Sequence, residues 1–150
     1  MRRTFLKLAA LAVSTAVLAG CAASGVKHDA MAASMPGLKS GEGRIYFYRS
    51  ASMMGAAIQP DIWLNGTVVG TSRPGGFFFV DRPAGNYVAG ASTETEKTLT
   101  FTVQPGETKY VRSHISMGIV AGRAILELEP PEKARGELGS LSFTGTTASN

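Results

Sequence analysis

After residue 43 the hydrophobic positions fall into a period of two. Arg44-Ile45-Tyr46-Phe47-Tyr48-Arg49 puts Ile45 and Phe47 on one face of a strand and Tyr46 and Tyr48 on the other. Asp61-Ile62-Trp63-Leu64 and Thr67-Val68-Val69-Gly70 flank Asn65-Gly66, residue types that accept the positive φ of a two-residue hairpin. Ser72 to Gly76 reads as a turn, and Phe77-Phe78-Phe79-Val80 as a strand apolar on both faces. Residues 82–86 turn the chain into a strand from Tyr87, and Glu94-Thr95-Glu96 mark a polar turn. Leu99, Phe101 and Val103 then alternate with Thr98, Thr100 and Thr102, giving one buried and one wet face. Pro105-Gly106-Glu107 turns into residues 109–116, with Val111 and Ile115 inward, and residues 125–129 make a last short strand. Residues 130–138 predict a helical turn or two, and residues 139–150 a frayed tail. About seven or eight short strands separated by turn signals predict an all-β fold, a small antiparallel β-sandwich over residues 44–138.

The pattern before residue 44 is different. Arg2, Arg3 and Lys7 precede an uncharged, mostly apolar run from Leu8 to Gly20. As a helix that run spans roughly 20 Å, short of the ~30 Å hydrocarbon core of a bilayer, which makes residues 1–20 a signal peptide and not a membrane span. Its end, Leu18-Ala19-Gly20-Cys21, looks like a bacterial lipobox, in which the cysteine is acylated and becomes the first residue after cleavage. An ordinary secretory signal with a chance cysteine is the alternative. Arg2-Arg3-Thr4-Phe5-Leu6-Lys7 resembles a twin-arginine export motif, although Met1 stands where a polar residue is usual; general secretion and twin-arginine export both stay open. Ala22 after the cysteine, where inner-membrane retention would call for aspartate, implies by the same resemblance a lipoprotein of the outer membrane. Residues 22–43 are rich in Ala, Ser and Gly without sustained periodicity and read, with Cys21, as a flexible tether.

Composition alters this picture in two places. The chain has 150 residues, 44% hydrophobic and 17% charged, which allows one folded domain and argues against wholesale disorder. Its single cysteine excludes an intrachain disulfide framework and a multi-cysteine zinc site. A net charge of +4 points toward nucleic acid until the signal peptide is subtracted. Residues 21–150 carry 12 basic and 11 acidic side chains, a balance near +1 that favours no polyanion. Tyr46, Tyr48 and Phe78 offer stacking platforms, but no basic groove accompanies them.

Candidate chemistry is sparse. His28 falls in the tether, and His114 shares the outward face of its strand with Arg112 and reads as solvated. No metal-ligand spacing occurs, and Gly41-x-Gly43 lacks the third glycine of a phosphate loop. Glu127 with Glu129, and Glu94 with Glu96, read as like charges on wet surfaces. Arg49 shares the inward face of Ile45 and Phe47, so its head needs a partner. An ion pair with Asp61 (or with Asp81) at the sandwich edge is one reading, and a ligand-binding arginine the other. Residues 51–58 and 117–122 are apolar where connections are normally polar. Met53, Met54 and Ile119 are therefore candidate partner contacts, with burial in the core as the alternative.

Several of these segments together resemble a bacterial lipoprotein family, domain of unknown function 2846. They are Gly41-Glu42-Gly43-Arg44-Ile45-Tyr46-Phe47-Tyr48-Arg49, Ile62-Trp63-Leu64-Asn65-Gly66 with Val69-Gly70, Phe77 to Val80, Pro83-Ala84-Gly85, and Gly106-Glu107-Thr108-Lys109-Tyr110-Val111. The order of hairpin and Pro-x-Gly turn is also similar to the PEGA class of small β-sandwiches. The resemblance implies a β-sandwich in the envelope and supplies no catalytic residue. The resulting expectation is a non-catalytic lipoprotein of the outer membrane and periplasm, anchored through palmitate-type chains on Cys21, with the leaflet it faces left open. It would need no cofactor or metal, bind no nucleic acid, and serve as a structural or protein-interaction module. A small-ligand carrier or sensor is the alternative.

Overall fold

In strands β1 (Glu42–Arg49) and β4 (Gly76–Pro83) bulky apolar side chains point to both faces, and the architecture follows from where each face is covered. The computed structural model describes residues 22–93, 97–118 and 122–145. The other strands are β2 (Asp61–Leu64), β3 (Thr67–Thr71), β5 (Gly85–Ala91), β6 (Thr98–Val103), β7 (Thr108–Met117), β8 (Gly122–Leu128) and β9 (Ser142–Phe143). Helix α1 (His28–Met31) runs into a 3₁₀ turn at Ala32–Ser34, and α2 spans Pro131–Leu138. Pro131 opens α2 at a position whose N–H would have no helical partner in any case.

Two sheets form a sandwich. The first has the order β8-β7-β1-β4-β9 and the second β3-β2-β5-β6. The all-β sandwich expectation holds, with one amendment: β1 pairs with β7, and β4 with β9, in parallel. Parallel pairs arise here because the chain visits the second sheet before β7 returns beside β1. The Asn65-Gly66 hairpin forms as its chemistry requires, with φ of 48° and 80°, and the Asn65 side chain accepts from the Val88 N–H at 2.8 Å.

Between the sheets lies the main core, which includes Ile45, Phe47, Ile62, Leu64, Phe78, Phe101, Val103 and Val111. The outer face of the first sheet carries a second cluster built on Tyr46, Tyr48, Phe77 and Tyr110, covered by Met31, Ala134, Leu138 and Leu141. Tyr46 stacks on Tyr110 at 5.4 Å, and His28 stands edge-on to Phe77 at 5.2 Å. The expected free tether is therefore corrected. Its described residues, from Ala22 on, dock on the sheet: His28 N–H donates to the Leu141 carbonyl, Lys27 bridges to Ser142, and the Tyr46 hydroxyl reaches the Met35 sulfur at 3.0 Å. The expected tail is corrected likewise, since residues 142–143 pair with β4; residues 146–150 lie outside the described residues. Both segments are ordered because the aromatic face they cover would otherwise remain in water.

Arg44 fastens the cover to the sheet. It lies opposite Asp81 in register and donates Nε to Oδ1 at 2.7 Å and Nη2 to Oδ2 at 2.8 Å. Nη2 also reaches the Pro36 carbonyl at 2.6 Å, and the guanidinium sits 4.4 Å over the Phe79 ring. At the β6–β7 turn, Glu107 pairs with Lys109 at 2.7 Å and accepts the Gln104 N–H at 2.8 Å. These two contacts hold the Glu107 carboxyl below its ordinary value of 4.5.

Two predictions follow from these contacts. Asp81→Asn leaves a largely buried guanidinium without its counter-charge and is expected to cost about 2–3 kcal/mol in chemical denaturation, more than an exposed pair would. Because Glu107 has a lowered pKa in the folded state, its contribution is complete above the unfolded value and fades as pH falls through the folded one. A side-chain carboxyl titration followed by NMR should place its midpoint below 4.5.

Candidate functional site

The connection from β1 to β2 begins where Arg49 turns inward opposite Gly76. Residues 50–60 have few ladder partners, so their carbonyls need donors from elsewhere. Arg49, 3% exposed, supplies them: Nη1 donates to the Ile58 carbonyl at 2.7 Å, and Nη2 to those of Gly55 at 2.8 Å and Met54 at 3.5 Å. Burial pushes its pKa down. The expected Arg49–Asp61 ion pair is corrected by this geometry. Asp61 starts β2 on the exposed side and accepts from the Thr71 hydroxyl at 3.0 Å, while Asp81 is taken by Arg44. Gly55 completes the loop with φ of 64°, and a side chain there would strike Ile115 at 2.7 Å.

The loop held in this way forms one wall of an apolar groove of about 960 Å³. Ala51, Met53, Gly55, Ala56, Ala57 and Ile58 line it from the loop, Pro74 and Gly75 from the turn before β4, and Ala22, Ala23 and Leu141 from the segments that cover the first sheet. Met53, which lines it, and the adjacent Met54 are 83% and 63% exposed. Gly122, the last residue of the second apolar stretch, lies against the first, since a side chain there would touch Ile58 and Ile115. Ile119 itself, like Cys21, lies outside the described residues.

Glu137 links the groove to a polar cluster beneath α2. It accepts the Ser50 hydroxyl at 2.6 Å and pairs with Arg112 Nε at 3.5 Å. Arg112 also faces Glu129 at 4.0 Å, and Glu129 pairs with Lys133 at 2.9 Å. Tyr48, whose hydroxyl has no protein partner among the described residues, borders the same cluster; burial, then the Glu137 and Glu129 charges, push its pKa up. Glu129, read as wet from strand alternation, is only 6% exposed at its side chain because α2 roofs it. Glu127 stays half-exposed, 3.9 Å from His114; the Glu94 and Glu96 pair lies outside the described residues.

Sequence reasoning located Met53, Met54 and the inward Arg49, and missed Ala22, Ala23, Lys27, Ser50 and Glu137. Only a readable docking signal in residues 22–36 would have revealed the first three, and the run of small residues gives none. Tyr46, Tyr48 and Phe78 are buried in the two cores, which leaves none of them as a stacking platform. Among the described residues no cluster of metal-ligating side chains occurs, and no helix is long and apolar enough to cross a membrane.

Replacing Arg49 by Met would leave the Ile58 and Gly55 carbonyls short of a donor in a largely buried setting. The expected loss is about 2–4 kcal/mol, with proteolytic cleavage appearing first within residues 50–58. Limited proteolysis of R49M beside R49K, which keeps the charge but not the fork, would show it; equal resistance of both to that of the parent would remove Arg49 as the organiser of the loop.

An uncharacterized protein of Haemophilus influenzae is 24% identical over 106 residues, covering 70% of this chain and 62% of its own length. The chain thus spans less than two thirds of that relative. No solved structure matches. The family described as protein of unknown function (DUF2846) matches residues 39–124, from the approach to β1 through β8 as far as Ala124. With more than half of its residues inside that match, the chain belongs to the DUF2846 family.

Proposed function

We propose that this protein is a non-catalytic, lipid-anchored module of the bacterial cell envelope, exported by residues 1–20 and acylated at Cys21, and that it binds a partner protein through the end of the sandwich bearing Met53 and Met54. The observation that carries the reading is the pair of exposed methionines at the border of an apolar groove. Methionine adapts its shape to an apolar partner, and a surface of this kind is costly to leave in water. A non-catalytic role is supported by the lining of the groove. Its hydroxyls are committed: Ser50 to Glu137, Ser52 to the Met54 N–H, and Ser140 to the Glu137 carbonyl. No histidine is among the lining residues to activate one of them. The volume of the groove favours, as a second reading, a small apolar ligand carried in the envelope.

In-cell photo-crosslinking of the full-length protein tests the partner reading. A probe at Met54 is expected to give a discrete protein adduct that a probe at the exposed Thr100 does not. Identical patterns at the two positions would sink it. The anchor has its own check: Cys21→Ser should abolish incorporation of labelled palmitate and release the protein from the membrane fraction, and retention of label in that variant would exclude Cys21 as the attachment site.

A further inference from the structure

We infer that the groove receives an acyl chain carried by Cys21 of the same molecule. This rests on the lipoprotein reading above and names the occupant of its groove.

The first reason is where the described chain begins. Ala22 and Ala23 are part of the groove wall, and the Ala23 N–H is bonded to the Pro74 carbonyl at 3.1 Å. An extended chain advances no more than about 3.6 Å per residue, so the two residues from Ala23 back to position 21 span at most roughly 7 Å. An acyl group on Cys21 therefore starts at the groove and needs no tether to reach it.

The second reason is the chemistry of the wall. Alanine, glycine, methionine, isoleucine, proline and leucine line most of it. The charged groups at its border are already engaged: Lys27 donates to the Ser142 hydroxyl at 3.0 Å, and Glu137 is shared between Ser50 and Arg112. A neutral hydrocarbon needs no counter-charge of its own and can lie along the apolar side chains. A peptide strand would need main-chain partners, and the carbonyls of Met54, Gly55 and Ile58 are occupied by Arg49. The volume, about 960 Å³, lies at the upper end of the range of about 300–1,000 Å³ typical of ligand pockets, room for a long flexible chain.

The test is made on the full-length protein in cells fed a palmitate analogue bearing a diazirine and an alkyne. After irradiation the protein is purified, and its adducts are mapped by mass spectrometry. The expected result is analogue on Cys21 with photo-adducts on Ile58, Ala56 or Leu141. Ala57→Trp, which fills the groove from an exposed lining position, should lower those adducts roughly tenfold, and Ala51→Phe provides a second block if the tryptophan variant does not accumulate. Val68→Trp, on the distant second sheet, should leave them unchanged. Analogue on Cys21 with adducts only to membrane lipid, to a second protein, or to surfaces outside the groove would overturn the inference and leave the lipoprotein reading standing. Absence of analogue from Cys21 would overturn both.

Discussion

The first sheet is apolar on both sides, and the remainder of the molecule is arranged to keep both sides dry. Ile45, Phe47 and Phe78 face the second sheet, whereas Tyr46, Tyr48, Phe77 and Tyr110 face away from it. Fully burying such a side chain stabilises the fold by about 1.5–3 kcal/mol, so an uncovered aromatic face would forfeit a sum comparable to the net stability of a small domain. The second sheet cannot serve both faces. The cover comes instead from residues 22–36, from α2 and from the segment around β9. These pieces also bond to one another: the Phe143 N–H donates to the Val26 carbonyl, and the His28 N–H to that of Leu141. They therefore behave as one layer, and the protein is a sandwich with a third sheet-covering stratum.

The groove is the seam between that stratum and the sandwich. Its walls come from Ala22, Ala23 and Leu141 on the covering side and from the 50–58 loop on the other. Two arginines maintain the edges by different means. Arg49 has no carboxylate and acts as a fork of donors for stranded loop carbonyls, which avoids the cost of leaving them unmade. Arg112 lies among carboxylates, between Glu129 and Glu137, and ties α2 to β7 while Glu137 reaches Ser50 at the start of the loop. An apolar concavity persists because its polar rim is satisfied elsewhere.

The strands were legible because the period of two is written by each strand's own residues, and the Asn65-Gly66 turn because its backbone demands those residue types. The Phe77 to Val80 run was legible as a strand covered on both faces, but what covered it was not. Residues 22–36 contain few large apolar side chains, and a four-residue helix has too few turns to show a stripe. Their docking is set by an aromatic face far along the chain, which no local pattern records. Arg49 shows the same limit at the scale of one residue. Its inward direction followed from alternation, yet its partners are backbone carbonyls, which have no letter in a sequence. Glu129 was misjudged because alternation describes a strand and says nothing about the helix that folds back over it.

The docked N-terminal segment also changes what an anchor at Cys21 would do. A free tether of residues 22–43 would allow the domain to range several tens of ångströms from the bilayer in any orientation. With Ala23 bonded to Pro74 and Lys27 to Ser142, the slack is one or two residues. An acylated Cys21 would then fix orientation as well as distance, and the end turned toward the lipid would be the one carrying the groove, Met53 and Met54. Under the proposed anchoring, a protein partner at that end would bind beside the membrane surface and compete there with lipid for the same apolar side chains. The second sheet, with its threonine-rich outer face on β6, would then point into the aqueous compartment.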